Sequence, residues 1–203
     1  MNFLKNLFGK KKEIQEEKSE FIVITLNDKI QPIDRGEYYE IGLEKILLEN
    51  NIGEITGGGT MQHQNGEIDF VDIEIELSSE EISDENLNKI IVYLEEKGAP
   101  KNSKITIEKT NKIIPFGKLE GIGVYLDGKN LDEDVYKNCD SNFVVSEIKN
   151  LIDDKTDIVK FWEGSENTAL YFYGDSFIEM KNRISKFMNE YPLCKNAEIK
   201  QIA

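Results

Sequence analysis

Three observations predict an α+β fold of two tandem βαββαβ units with antiparallel sheets. The element order strand, helix, strand, strand, helix, strand runs twice along the 203 residues. Each second helix leaves through a proline followed by Lys-Asn and a short strand, at Pro100-Lys101-Asn102 and again at Pro192 with Lys195-Asn196. Between Val71 and Leu77 apolar and acidic residues alternate strictly, which is the pattern of a sheet covered on one side only.

The first unit opens with FIVITLND at residues 21–28, a strand by its β-branched content and its turn-forming end. Pro32 and Gly36 predict a loop, and Tyr39, Leu43, Ile46 and Leu47 recur at helical spacing between Glu37 and Asn50. Asn65-Gly66 then stands between two extended segments and predicts a hairpin on a two-residue type I′ turn. In its second arm Val71, Ile73, Ile75 and Leu77 share one face, and Asp72, Glu74 and Glu76 share the other. Ser83 is the expected N-cap of a helix whose stripe is Leu87, Ile90, Ile91 and Leu94, stopped by Gly98 and Pro100. SKITIEKT closes the unit.

The second unit repeats the scheme. LEGIGVYLDG reads as a strand, FVVSEIKNLID as a helix with Val144, Ile148 and Leu151 on one face, and DIVKFWEG with TALYFYG as two strands. Ser176 and Glu179 have capping-box spacing before a helix carrying Phe177, Met180, Ile184 and Phe187, and NAEIKQI is the last strand. This is the ferredoxin-like order, twice over. The expected organisation is a tail over residues 1–19, a first unit over 20–116 and a second over 117–203, with the boundary between Pro115 and Gly117.

The stretches GGGTMQHQNGEIDFVDIEIEL and ALYFYGDSFIEMKNRISKFMNEYPLCKNAEIKQI resemble uncharacterised bacterial proteins with duplicated α/β-plait halves, some of them from toxin–immunity neighbourhoods. The resemblance implies a duplicated fold and an immunity-like role. It brings no catalytic motif and transfers no functional residue.

Composition bounds the function. With 39% hydrophobic and 32% charged residues and four prolines, the chain is a folded globular one. Residues 1–12 carry Lys5, Lys10, Lys11 and Lys12 and no acid, so a total of −14 leaves −18 on residues 13–203. Such a body repels phosphate backbones and attracts a basic protein, so nucleic acid is not the expected partner. No apolar run reaches the roughly 18–20 residues of a membrane span. In MNFLKNLFGKKK the apolar residues precede the charge, the reverse of a secretory leader, so a cytoplasmic location is expected. That segment reads either as a solvated tail or as a short amphipathic helix making weak peripheral contact with anionic lipid or a partner. Cys139 and Cys194 lack metal or CxxC spacing and are expected as reduced thiols near the core.

Three places could carry a site. Gly57-Gly58-Gly59-Thr60 removes side chains opposite Asp72 and Glu74, which permits a ligand or another backbone to approach; a β-bulge that needs glycine is the rival reading. Asp72, Glu74 and Glu76 at i, i+2, i+4 do not converge on a point as metal ligands must, so they read as a solvated face or as a contact stripe for a basic partner. Trp162, Tyr171 and Tyr173 can share one sheet face, and such aromatics mark either packing between the halves or a partner surface. His63, the one histidine, is expected at an exposed turn with no nucleophile beside it. The expectation is therefore a non-enzymatic protein-binding module, an immunity protein for a basic toxin being one form of it, with no cofactor or metal. The alternative is a small-molecule sensor using the glycine run and the groove between the halves, and an enzyme ranks below both.

Overall fold

The computed structural model describes residues 19–78, 80–154, 156 and 158–203, so the reading of residues 1–12 lies outside the described residues. Strand β1 (Ser19–Leu26) leads into a helix that runs through α1 (Pro32–Arg35), a π-helical turn (Gly36–Glu40) and α2 (Ile41–Glu49). β2 (Gly53–Gln62) and β3 (Ile68–Ser78) form the hairpin; α3 (Asp84–Glu96), β4 (Ser103–Ile107) and β5 (Lys112–Phe116) follow. The second unit comprises β6 (Glu120–Asp127), α4 (Glu133–Asn138), α5 (Ser141–Ile152), β7 (Lys160–Glu163), β8 (Asn167–Gly174), α6 (Phe177–Glu190) and β9 (Glu198–Gln201).

The sheet orders are β2-β3-β1-β4-β5 and β7-β8-β6-β9, with every neighbouring pair antiparallel. Apart from the added β5, the two orders are the same, as two ferredoxin-like units require. Asn102 and Asn196, the matched residues after each proline, both sit at positive φ, 67° and 65°, just before β4 and β9. Asparagine tolerates that conformation because its short amide bonds locally.

Each sheet is covered by its helices on one side. In the first unit, Ile22, Ile24, Leu26, Val71, Ile73 and Ile75 pack with Tyr39, Leu43, Leu47, Leu87, Ile90 and Leu94 in one buried cluster. In the second, Ile122, Val124, Leu170 and Phe172 meet Val144, Ile148, Met180 and Ile184. Ser83 Oγ accepts the Asn86 N–H and Ser176 Oγ accepts the Glu179 N–H, so both expected N-caps form.

Several local expectations change. Pro32 and Gly36 lie inside a helix rather than a loop; Pro32 occupies the first turn, where its missing N–H costs nothing. The hairpin turn is not type I′. His63 N–H donates to Glu67 O, Gly66 N–H donates to His63 O, and Gly66 alone has positive φ, 84°, which is a three-residue turn ending in a left-handed glycine. A register shift between Met61 and Gln62 offsets the longer turn, so Gly59 still faces Asp72 and Gly57 still faces Glu74. Leu151 is 37% exposed and leaves the core to Val145, six residues earlier.

The second sheet's other face packs on the first unit. Tyr125, Ala169 and Tyr171 are buried there, with Trp162, Tyr173 and Ile202 half-buried around them. At its centre the Asp28 carboxylate, 0% exposed, takes the Lys160 ammonium, 6% exposed, at 2.7 Å on the same oxygen that accepts the Tyr39 hydroxyl at 2.7 Å. Lys29 N–H donates to Tyr173 Oη at 2.9 Å, and Gln31 Nε2 donates to Phe161 O at 3.0 Å. Lys160 also lies over the Tyr173 and Tyr38 rings, 4.6 and 5.4 Å from their centroids. Removing one member of such a buried pair strands the other charge away from water. Lys160→Met should therefore cost about 3–5 kcal/mol in urea unfolding, and adding Asp28→Leu to it should recover most of that loss.

Candidate functional site

The junction is where burial perturbs titration. Burial lowers the Lys29 pKa, partly offset by the charges of Asp69, Glu67 and Asp28, and its ammonium donates to Ile68 O and Asp69 O. Burial, then the Asp28 charge, raises Tyr39 and Tyr173 well above the usual phenol range. Glu67, at the hairpin tip, accepts the Tyr125 hydroxyl at 2.6 Å and the Tyr171 hydroxyl at 2.8 Å on one oxygen. Burial raises the Glu67 pKa, but hydrogen bonds from Tyr125, Tyr171 and Asn65 and the Lys29 charge outweigh it and leave the carboxyl lowered. Tyr125 and Tyr171 are raised, first by burial and then by that bond to Glu67. These groups are committed to one another, and they hold the hairpin of the first unit on the aromatic face of the second. Trp162, Tyr171 and Tyr173 thus stand at the internal contact between the halves.

Asp72, Glu74 and Glu76 lie on the side of the first sheet away from α2 and α3. Pairing builds rows across that side: Gly59, Asp72, Thr25, Lys104 and Pro115 in one, and Gly57, Glu74, Val23, Thr106 and Ile113 in the next. Glu54, Glu76 and Phe21 follow, with Glu108 N–H bonded to Phe21 O. The carboxylates thus form a stripe beside apolar Phe21, Val23 and Ile113. Thr56, the extra residue of a bulge between Ile55 and Gly57, donates its hydroxyl to Glu74 at 3.0 Å. Asp72 differs from its neighbours, because its Oδ1 is shut from solvent without a hydrogen-bond partner.

The glycine run splits into two roles. A Cβ on Gly58 would stand 2.6 Å from Arg35 Nη2 and 2.7 Å from Asp72 O, so glycine there admits the guanidinium. A Cβ on Gly59 would meet nothing within 4 Å, and one on Gly57 would meet only Glu74 Oε1, at an ordinary contact distance of 3.8 Å. A cleft of about 760 Å³ between the units lies elsewhere, lined by Tyr38, Lys97, Tyr173, Asp175 and Arg183 among others. The structure therefore separates the glycine run from the groove that the sensor reading had joined to it.

His63 is exposed and pairs loosely with Asp69 at 3.5 Å. Both cysteines are free and belong to the second core, where burial and then the Cys139 charge push the Cys194 thiol up to about 11. Among the described residues, no three His, Cys, Asp or Glu side chains converge as metal ligands would, and no helix is long and apolar enough to cross a membrane.

No family model and no curated protein matches the chain. Among solved structures, similarity extends to an unknown protein from Galdieria sulphuraria, at 9% identity over 91% of this chain and 98% of that one, TM-score 0.27. It extends also to the first two RRM domains of yeast poly(U)-binding protein, at 13% identity over 90% and 99%, TM-score 0.24. A protein described as a monooxygenase from Lactobacillus acidophilus shows 14% identity over 91% and 93%, TM-score 0.27. The class of the protein rests on strand order: an α+β chain of two ferredoxin-like units.

Because the Glu67 pKa is lowered on folding, its contribution to stability is full above the ordinary carboxyl pKa of about 4.3 and is lost as pH falls through the lower folded value. The stability gap between the native chain and Glu67→Gln should be flat at neutral pH and shrink on acidification below about pH 4.3, as read by urea unfolding at stepped pH.

Proposed function

We propose that the chain is a non-enzymatic binding protein whose uncovered first sheet docks a basic protein partner. One observation carries this reading: the face free of helices displays Asp72, Glu74 and Glu76 in one stripe, flanked by Glu54, with Lys104 as the one lysine in its rows. A partner's cations gain from such a stripe, and Phe21, Val23 and the exposed Ile113 offer apolar contact beside it. The net −18 on residues 13–203 adds long-range attraction. Neutralisation of a basic toxin, in the manner of an immunity protein, is the finer form of the proposal; the charge sign and the sequence resemblance support it. A cytoplasmic site of action fits the two free thiols. Support for a binding rather than catalytic role comes from carboxylates set on an open sheet instead of in a pocket, and from a histidine at an exposed turn. Glu74→Lys with Glu76→Lys should slow association with the basic partner captured from cells by about tenfold or more at low salt and flatten its salt dependence, with the dissociation rate changing less. Unchanged association kinetics would remove the reading.

A second reading has the cleft between the units as its own observation. Lys97 and Arg183 stand among Glu96, Asp153, Asp154 and Asp175 around the Tyr38 and Tyr173 rings, a setting that supports a small zwitterionic ligand. A thermal-shift panel of amino acids and related metabolites tests it: a saturable rise in melting temperature, abolished by Arg183→Ala, is the expected result.

A further inference from the structure

A second surface, on the opposite side of the first sheet, carries a different signature. Where α1, the π-helical turn and α2 run beside the edge strand β2, they leave a groove of about 460 Å³ lined by Ile33, Ile41 and Ile55 and rimmed by Glu37, Glu40 and Glu44. Ile33 on α1 is 83% exposed, and Ile41 on α2 is 67% exposed although Leu43 and Leu47 of the same helix are fully buried. Contiguous apolar exposure with a polar rim is the mark of a covered surface rather than of a solvated one. Arg35 offsets one rim charge through its pair with Glu40, and Glu44 accepts the Ile55 N–H, which caps the strand edge beside the groove. The groove is therefore apolar at its floor and net acidic at its rim, so its complement is a short segment that is apolar along one stripe and basic elsewhere.

The chain contains such a segment. Phe3, Leu4, Leu7 and Phe8 fall on one helical stripe, and Lys5, Lys10, Lys11 and Lys12 surround it without an acid. Six residues, Glu13 to Lys18, join it to Ser19, and they reach at most roughly 20 Å. Ser19 pairs with Ser78, next to Leu77, which pairs with Gly53 two residues before Ile55. With strands about 4.8 Å apart and a rise of about 3.3 Å per residue, the groove lies roughly 15 Å from where the segment rejoins the fold. We propose that residues 1–12 dock in cis into the groove between α1–α2 and β2, seating their apolar stripe on Ile33, Ile41 and Ile55 with their lysines against Glu37, Glu40 and Glu44. The tether keeps the segment at an effective concentration on the order of millimolar, which lets a short helix that is marginal alone fold onto the surface.

Zero-length carbodiimide crosslinking of the full chain, with peptide mapping by mass spectrometry, tests this. Equal amounts of ¹⁴N and ¹⁵N chains are mixed so that links within a chain separate from links between chains. The expected result is intrachain linkage of Lys5 or Lys10–Lys12 to Glu37, Glu40 or Glu44. Its yield should fall about tenfold in Ile41→Asp and in Phe8→Asp, each removing one apolar anchor. Ile41 is exposed and Phe8 lies outside the described residues, and both variants should keep the native far-UV spectrum. Links found only between chains, links to Asp72, Glu74 or Glu76 in place of the groove, or yields insensitive to both substitutions would each overturn the proposal. None of these outcomes depends on whether the open sheet face binds a partner.

Discussion

The ion pair between Asp28 and Lys160 is the constraint on which the arrangement of the molecule depends. Each unit has its own buried apolar core, and Ile158 of the second unit packs half-buried against the first. Beside the aromatic packing, what joins them is a polar contact in which the buried Asp28 carboxylate satisfies an ammonium and a phenol while a second carboxylate, the half-buried Glu67, takes two more phenols. Buried charges are costly when unpaired and acceptable when paired. A junction of this kind therefore has one low-energy register, whereas an apolar contact of the same size would tolerate sliding. Its consequence reaches the surface. By taking the aromatic face of the second sheet for itself, the junction leaves, among the described residues, the uncovered side of the first sheet as the broad free face, and that side carries the carboxylates.

The same economy explains the two outward-facing glycines. Gly57 and Gly59 lie beside Glu74 and Asp72 with room for a side chain and none supplied, so the backbone of β2 is accessible next to the stripe. Gly58 has a local cause in Arg35, and Thr56 absorbs the bulge. The run that stood out in the sequence is thus part packing and part opening. The cleft between the units and the groove along α1–α2 involve neither.

Much of the fold was legible because its signals are local. Alternation along β3 named the covered and uncovered sides, and the matched Pro…Lys-Asn exits of the two units proved to be the same left-handed turn before the equivalent strands β4 and β9. Elements whose definition depends on neighbours were not. β5 is a five-residue strand that exists by pairing with β4, and its one sequence cue was Asn111, which takes positive φ at the turn between them. α4 has no buried residue to give it a stripe. Pro32 read as a loop because a proline at a helix start and one in a turn look alike from sequence. Of the site, the acidic stripe and the aromatic face were visible, but their relation was not. Asp28 read as a turn former closing a strand, Lys160 as part of a strand segment, and Glu67 as part of the hairpin. The partnership of Asp28 with Lys160 spans 132 positions, and no local pattern encodes it.

Native-state labelling of carboxylates with carbodiimide and a small amine, followed residue by residue over time, tests the central claim that the junction buries its acids and leaves the sheet stripe open. Glu74, Glu76 and Glu54 should label at rates near those of unfolded peptides, while Asp28 should stay unmodified until the chain is unfolded and Glu67 should lag far behind the stripe. Labelling of Asp28 as fast as Glu74, or protection of Glu74 and Glu76 comparable to that of Asp28, would contradict the account.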